Sequence, residues 1–166
     1  MDSRTLLTVL PRLRRYAQAL VGERAAADDL VQDTLERAWA RVSQWRAGSD
    51  LALWLLSIMH NLRIDQMRRP GLQLTHLDEE TLDVPTRATQ TDQRELADLA
   101  GALAQLPEEQ RAVLLLVGLE ELSYAEVAAT LDIPVGTVMS RLARGRERLR
   151  QILDGRQPAP KLRVIR

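Results

Sequence analysis

The chain has 166 residues, 45% hydrophobic and 3% aromatic, with no Phe and no Cys, so a disulfide frame, a thiol switch and a Cys-ligated zinc site are excluded. Leu and Ala favour helices whereas strands want aromatic and β-branched side chains, so the composition points to an all-α protein. The formal net charge of zero hides a pattern: residues 1–69 hold 11 Arg against 8 acids (+3), residues 70–122 hold 3 Arg against 11 acids (−8), and residues 123–166 hold 9 Lys and Arg against 4 acids (+5).

In chain order, Leu6, Val9, Leu10, Leu13, Ala17 and Leu20 recur at helical spacing until Gly22 ends the run. A second helix is predicted over residues 25–42, with Leu30, Val31, Leu35, Ala38 and Trp39 on one face. Residues 43–50 read as a loop through Ala47-Gly48-Ser49. Asp50 is placed to cap a third helix over 51–69, whose stripe is Leu51, Trp54, Leu55, Ile58 and Leu62. Pro70-Gly71 terminates it. Residues 72–90 lack periodicity and carry Asp78, Glu79, Glu80, Asp83 and Pro85, so 70–91 is read as an extended acidic linker. Fully stretched, its roughly 20 residues reach on the order of 70 Å.

A second helical group is predicted from Asp92 through Leu96, Leu99, Leu103 and Leu106. Pro107-Glu108-Glu109 reads as a helix start, with Pro first and acids facing the positive helix end. The run Val113 to Val117 is apolar on all sides, which predicts a buried helix. The organisation is thus two small helical domains, 1–69 and 92–154, with a tail from 155 to 166 that reads as disordered.

The strongest local signal lies in residues 123–150. Ser123-Tyr124-Ala125-Glu126 has the capping-box form. A short helix with Val127, Ala128 and Leu131 inward breaks at Asp132-Ile133-Pro134, and a longer one begins near Val135. This is a helix-turn-helix pattern. With Val138 facing the core, the 3.6-residue turn points Ser140, Ala143, Arg144 and Glu147 outward, with Arg141 and Arg148 on one flank. Arginine forks onto guanine in the major groove or neutralises phosphate, and serine can donate to either. Basic ends suit such contacts and the acidic middle would be repelled by DNA, although plain solvation of helical surfaces gives the same charge pattern.

Gly136-Thr137-Val138-Met139-Ser140-Arg141-Leu142-Ala143-Arg144-Gly145-Arg146 closely resembles region 4 of the extracytoplasmic-function (ECF) sigma factors. Leu106-Pro107-Glu108-Glu109-Gln110-Arg111 and Ser123-Tyr124-Ala125-Glu126-Val127-Ala128 resemble the same region. Asp28-Asp29-Leu30-Val31-Gln32-Asp33-Thr34, Arg37-Ala38-Trp39, Trp54-Leu55, Asn61 and Asp65 resemble region 2.

The resemblance implies a role for each part. Asp29, Gln32, Asp33, Glu36 and Arg37 would dock on core RNA polymerase. The 43–50 loop and the next helix would engage the promoter −10 element through Trp45, Arg46, Trp54, Asn61, Arg63 and Arg68. Asn61 would hold an extruded base, since an amide both donates and accepts. Trp45 would wall that pocket, or serve as a core aromatic. Where the family often has Phe this chain has Leu51, which keeps apolar contact but not stacking. Thr137, Met139, Ser140, Arg141, Ala143, Arg144 and Arg148 would read the −35 element as duplex. The linker acids would mimic nucleic acid in the polymerase's RNA channel, and an anti-sigma factor would clamp the two domains.

No catalytic residue, metal or cofactor is expected. His60 and His76 lack ligand spacing, and no nucleotide loop or nucleophile–base pair is present, so neither an enzyme nor a small-molecule substrate is predicted. Arg4, Arg12, Arg14 and Arg15 interrupt the N-terminal apolar stretch, and no run approaches about 18 apolar residues. A cytoplasmic protein without membrane insertion is expected. Two other readings compete. One is a sigma-like decoy that binds an anti-sigma factor but no promoter. The other is a helix-turn-helix repressor or response-regulator output domain, which leaves residues 6–69 unexplained.

Overall fold

A computed structural model describes residues 1–69 and 90–156. Among the described residues the regular elements are all helical: α1 (Ser3–Val21), α2 (Arg24–Ala40), α3 (Leu51–Arg68), α4 (Gln90–Ala104), α5 (Glu108–Gly118), α6 (Tyr124–Leu131) and α7 (Val135–Arg156). A single 3₁₀ turn, Val42–Gln44, follows α2, which therefore ends two residues earlier than its apolar pattern suggests. Residues 90 and 91, assigned above to the linker, open α4; residues 70–89, with the rest of that linker, lie outside the described residues. Gly155 and Arg156 belong to α7 rather than to a disordered tail, whose other residues are likewise outside those described.

Local chemistry sets the helix ends. The Asp50 carboxylate accepts from the backbone N–H groups of Ala52 (2.9 Å) and Leu53 (3.3 Å), satisfying two donors that α3 leaves orphaned. Gly22 closes α1 at φ +82°, a conformation glycine adopts without a Cβ clash. Pro107 is the N-cap of α5, not its first helical residue, and Glu108 and Glu109 follow in the first turn.

Helices α1, α2 and α3 pack on one another and bury Leu13, Tyr16, Ala17, Leu20, Leu30, Ala38, Leu55 and Met59. Trp39 departs from the expected inward face and is 65% exposed. The buried residues of α2 are Ala27, Leu30, Val31, Thr34 and Ala38; at 100° per residue Trp39 lies about 120° from their mean direction. Thr34 takes the inward place by donating its hydroxyl to the Leu30 carbonyl at 2.7 Å, which lets a polar side chain be fully buried. In the second half Val113, Leu116, Val127, Val138 and Leu142 form the core. Gly145 lets α7 approach α5 closely: a Cβ there would stand 3.1 Å from Leu114 Cδ1. Leu96 and Leu99 are exposed, and Ala102, near the C-terminal end of α4, is buried.

The two halves pack together. Helix α3 lies on α6, α1 lies on α5 and α4, and their apolar residues form one continuous cluster. Charged groups edge the seam. Arg12 Nε donates to Glu120 Oε2 at 3.0 Å, and the Glu120 side chain is only 1% exposed. Arg63 of α3 donates from Nε and Nη2 to Glu108 Oε1, both at 2.8 Å. Arg111 donates to Leu20 O at 2.6 Å across the seam.

His60 sits at this seam. Burial pushes its pKa below the ordinary value, Glu108 opposes that shift and Arg141 adds to it. The folded chain therefore favours the neutral ring, and the stability this contributes is present above about pH 6.5 and lost as the pH falls through the folded value. The unfolding midpoint is expected to fall between about pH 7.5 and about pH 5.5, and His60→Gln should flatten that slope. Equal slopes for both proteins in denaturant titrations would contradict the assignment.

Candidate nucleic-acid interface

The helix-turn-helix is built as its sequence requires. Glu126 N–H donates to Ser123 Oγ (3.1 Å) and Ser123 N–H donates to Glu126 Oε1 (3.0 Å), closing the capping box. Asp132 adopts the left-handed conformation (φ +55°, ψ 52°), and the N–H groups of Asp132 and Ile133 both turn back to Ala128 O. The Pro134 carbonyl then accepts from Thr137 (3.0 Å) and Val138 (3.2 Å), starting α7. Val138 and Leu142 point inward, which turns Ser140, Ala143, Arg144, Glu147 and Arg148 to solvent as the 3.6-residue arithmetic requires. Arg144 and Arg148 have no ion-pair partner among the described residues. Met139 is 52% exposed beside them and Thr137 is half-buried. Arg141 differs: it is half-buried and lies 3.8 Å from Glu109 of α5.

In the first half the structure brings Trp45 and Trp54 together, with ring centroids 6.5 Å apart and planes inclined by 38°. Trp45 is half-buried, and its indole N–H is buried without a hydrogen-bond partner among the described residues. Asn61 is exposed on the same face of α3, seven residues or about 10 Å beyond Trp54. Arg46 and Arg68 are exposed. Arg63 is not free with them, being held by Glu108 and by Gln66 Oε1 at 3.3 Å.

Asp29, Gln32, Asp33 and Glu36 line the outer face of α2, where Gln32 Nε2 donates to Glu36 Oε1 at 3.4 Å. Arg37 pairs with Asp65 of α3 at 3.5 Å. Between the helices runs a cleft of about 300 Å³ lined by Asp33, Glu36, Arg37, Leu62, Asp65, Gln66 and Arg69. Exposed Trp39 lies on this helix and was missed as a surface residue, although its angular offset from the buried stripe was readable. Glu108, Glu109 and Glu120 were missed as partners of the basic ends, although the −8 charge of the middle segment pointed to them.

Two helical modules, one with an exposed basic recognition helix and one with an aromatic pair near the start of α3 and a polar cleft near its end, have the build of a DNA-binding transcription protein. Residues 6–60 match the family described as the Sigma2 domain of PhyR, and residues 96–149 match Sigma-70, region 4. The chain is 36% identical over 149 residues to the ECF RNA polymerase sigma factor EcfG of Rhodopseudomonas palustris, covering 89% of this chain and 82% of that protein. It is 39% identical over 148 residues to the ECF sigma factor SigE of Mycolicibacterium smegmatis, covering 86% of this chain and 57% of SigE. Among solved structures, the sigma factor RpoE of Bartonella quintana, in complex with the anti-sigma factor NepR, superposes with a TM-score of 0.74 at 37% identity over 91% of this chain and 95% of RpoE. The anti-anti-sigma factor PhyR of the same organism, also with NepR, shares the fold (TM-score 0.62) at 18% identity, covering 90% of this chain and 49% of PhyR. The chain belongs to the ECF RNA polymerase sigma factor family.

Proposed function

We propose that the chain binds core RNA polymerase and directs initiation at promoters by reading a −35 element with α7 and capturing a melted −10 element beside Trp45, Trp54 and Asn61. The observation that carries this reading is the capped helix-turn-helix that leaves Ser140, Arg144 and Arg148 exposed on one face. Thr137, Met139, Ala143 and Arg141 complete the −35 surface, with Arg46, Arg63 and Arg68 on −10 phosphates. Asp29, Gln32, Asp33, Glu36 and Arg37 form the polymerase-docking face, to which exposed Trp39 adds an apolar anchor of the kind that dominates interface energies. The domain division follows the helices, residues 1–69 and 90–156. The chain supplies no covalent chemistry; the polymerase makes the RNA, and the work is done in the cytoplasm with it. Among the described residues no helix is long and apolar enough to cross a membrane.

Control by an anti-sigma factor is part of the proposal. It is supported by the solved RpoE complex with NepR, which this chain matches across both halves. A second reading, a decoy that binds only the anti-sigma factor, is favoured by the match of residues 6–60 to the PhyR domain. The exposed arginines of α7 oppose it, because a decoy needs no DNA-reading side chains.

Asn61→Ala is expected to impair opening of a duplex promoter more than initiation from a pre-melted one; equal defects on both would contradict base capture. The function is tested by mixing the chain with sigma-free core polymerase and labelled promoter fragments. Retention of specific fragments only when both proteins are present supports it. Binding to an anti-sigma factor without fragment retention supports the decoy.

A further inference from the structure

The outward side of the recognition helix carries two different chemistries. With Val138 set at zero, Val135, Met139 and Ala143 fall at about 60°, 100° and 140° around the axis of α7. Ser140, Arg144 and Arg148 fall at about 200°, 240° and 280°. One flank is thus apolar and the other is hydroxyl and guanidinium. Val135 and Met139 are 43% and 52% exposed, and Ala143 beside them is exposed as well. A lone exposed apolar side chain is ordinary, but three at i, i+4 and i+8 make a stripe that the fold leaves in water. Arg146 shares that bearing only about 10 Å further along the axis than Met139. Gly136 lies between the flanks in the first turn. A Cβ there would meet nothing within 4 Å, so no internal packing calls for glycine.

We propose that this apolar flank reads the C5-methyl groups of thymine in the −35 element, with Met139 as the principal contact. The inference deepens, and rests on, the reading of α7 as the helix that enters the −35 major groove. Thymine is the base that offers a methyl group in that groove, among edges that otherwise show donors and acceptors. Residues early in a recognition helix meet base edges, and Val135 and Met139 stand in the first two turns of α7. The unbranched thioether of Met139 can settle on a methyl group without exact register. Continuity with Ser140, Arg144 and Arg148 assigns the flank to DNA rather than to a protein. A protein covering the stripe would also have to satisfy the adjoining exposed guanidinium groups of Arg144 and Arg148, in a segment with 9 Lys and Arg against 4 acids. The two flanks then divide the element, Arg144 taking guanine and Met139 thymine. These residues stand about 7.5 Å apart along the axis, so their bases lie within roughly three base pairs of each other.

The test uses the full chain with core polymerase and a promoter duplex whose −35 thymines are replaced by uracil. Uracil removes the methyl groups and leaves every hydrogen-bonding edge in place. The parent complex should bind the uracil duplex about fourfold more weakly for each methyl covered, the value of one buried CH₂ group. Met139→Gln keeps the length of the side chain but not its apolar surface, and should lose most of that preference. Met139→Leu should keep most of it, and Arg144→Ala should still tell thymine from uracil. A parent complex indifferent to uracil overturns the proposal, as does a Met139→Gln complex with the full thymine preference. Weaker core-polymerase binding by Met139→Gln with that preference intact also overturns it, and assigns the flank to a protein partner. The role of α7 is checked separately with a scrambled −35 element. Parent binding indifferent to scrambling removes the −35 role itself; sensitivity to scrambling with indifference to uracil removes the methyl reading alone.

Discussion

Replacing Arg111 with Met is expected to destabilise the fold by about 3–5 kcal/mol, the cost of breaking a buried charged network by removing one partner. Arg111 donates from Nε to Leu103 O (2.8 Å), from Nη1 to Leu20 O (2.6 Å) and from Nη2 to Leu106 O (2.7 Å) and Ala104 O (3.1 Å). One guanidinium thereby satisfies carbonyls at the end of α4 and the turn after it, and ties both to the last turn of α1. Its side chain is mostly buried, and Glu108 lies 4.0 Å away. Burial lowers its pKa, Glu108 opposes this and Arg63 adds to it, yet arginine stays charged at any working pH. Lysine keeps the charge but concentrates three donors on one atom, so Arg111→Lys should recover less than half of the loss. Urea unfolding followed by circular dichroism reads the difference. A loss below about 1 kcal/mol for Arg111→Met would mean that water replaces these bonds without cost.

Arg144→Ala is expected to reduce discrimination between the preferred and a scrambled −35 element by about 1–3 kcal/mol, the range for losing an arginine–base contact. Arg144 is exposed, lies one turn beyond Ser140 on the outward face of α7, and spends no energy on an internal ion pair among the described residues. Arg148→Ala, one turn further along, should weaken all sequences about equally and shallow the salt dependence by about one phosphate contact. Competition binding of the polymerase complex to the two sequences at several salt concentrations separates these outcomes. Unchanged discrimination by the Arg144 variant would remove it from base readout.

Most of the second half was legible in the sequence because its determinants are local. Ser123 and Glu126 are three residues apart, Asp132 and Pro134 fix the turn, and Val138 sets the helix phase. All of them act within one or two helical turns. The outward placement of Ser140, Ala143 and Arg144 followed from that phase alone. At Trp39 hydrophobicity is a poor guide to direction, because Thr34, polar but bonded to its own helix, holds the inward position.

The union of the halves was not legible for a different reason. Arg12 meets Glu120 across 108 residues and Arg63 meets Glu108 across 45. Nothing in a helical period distinguishes such charges from solvated ones. The apolar residues of α3 and α6 that meet across the seam read equally well as core for their own helices. Only the segregation of charge carried the signal, and it named the acidic segment without naming its partners. The same blind spot left Arg63 and Arg141 as apparent DNA contacts with no hint that the chain already occupies them.

Run-off transcription with sigma-free core polymerase, this chain, and one promoter whose −35 and −10 elements are scrambled separately tests the central claim most directly. Initiation at a defined start on the intact promoter, lost with either scrambled element, is the predicted result. Initiation indifferent to both elements, or none from a folded chain with competent core polymerase and promoters, would contradict it.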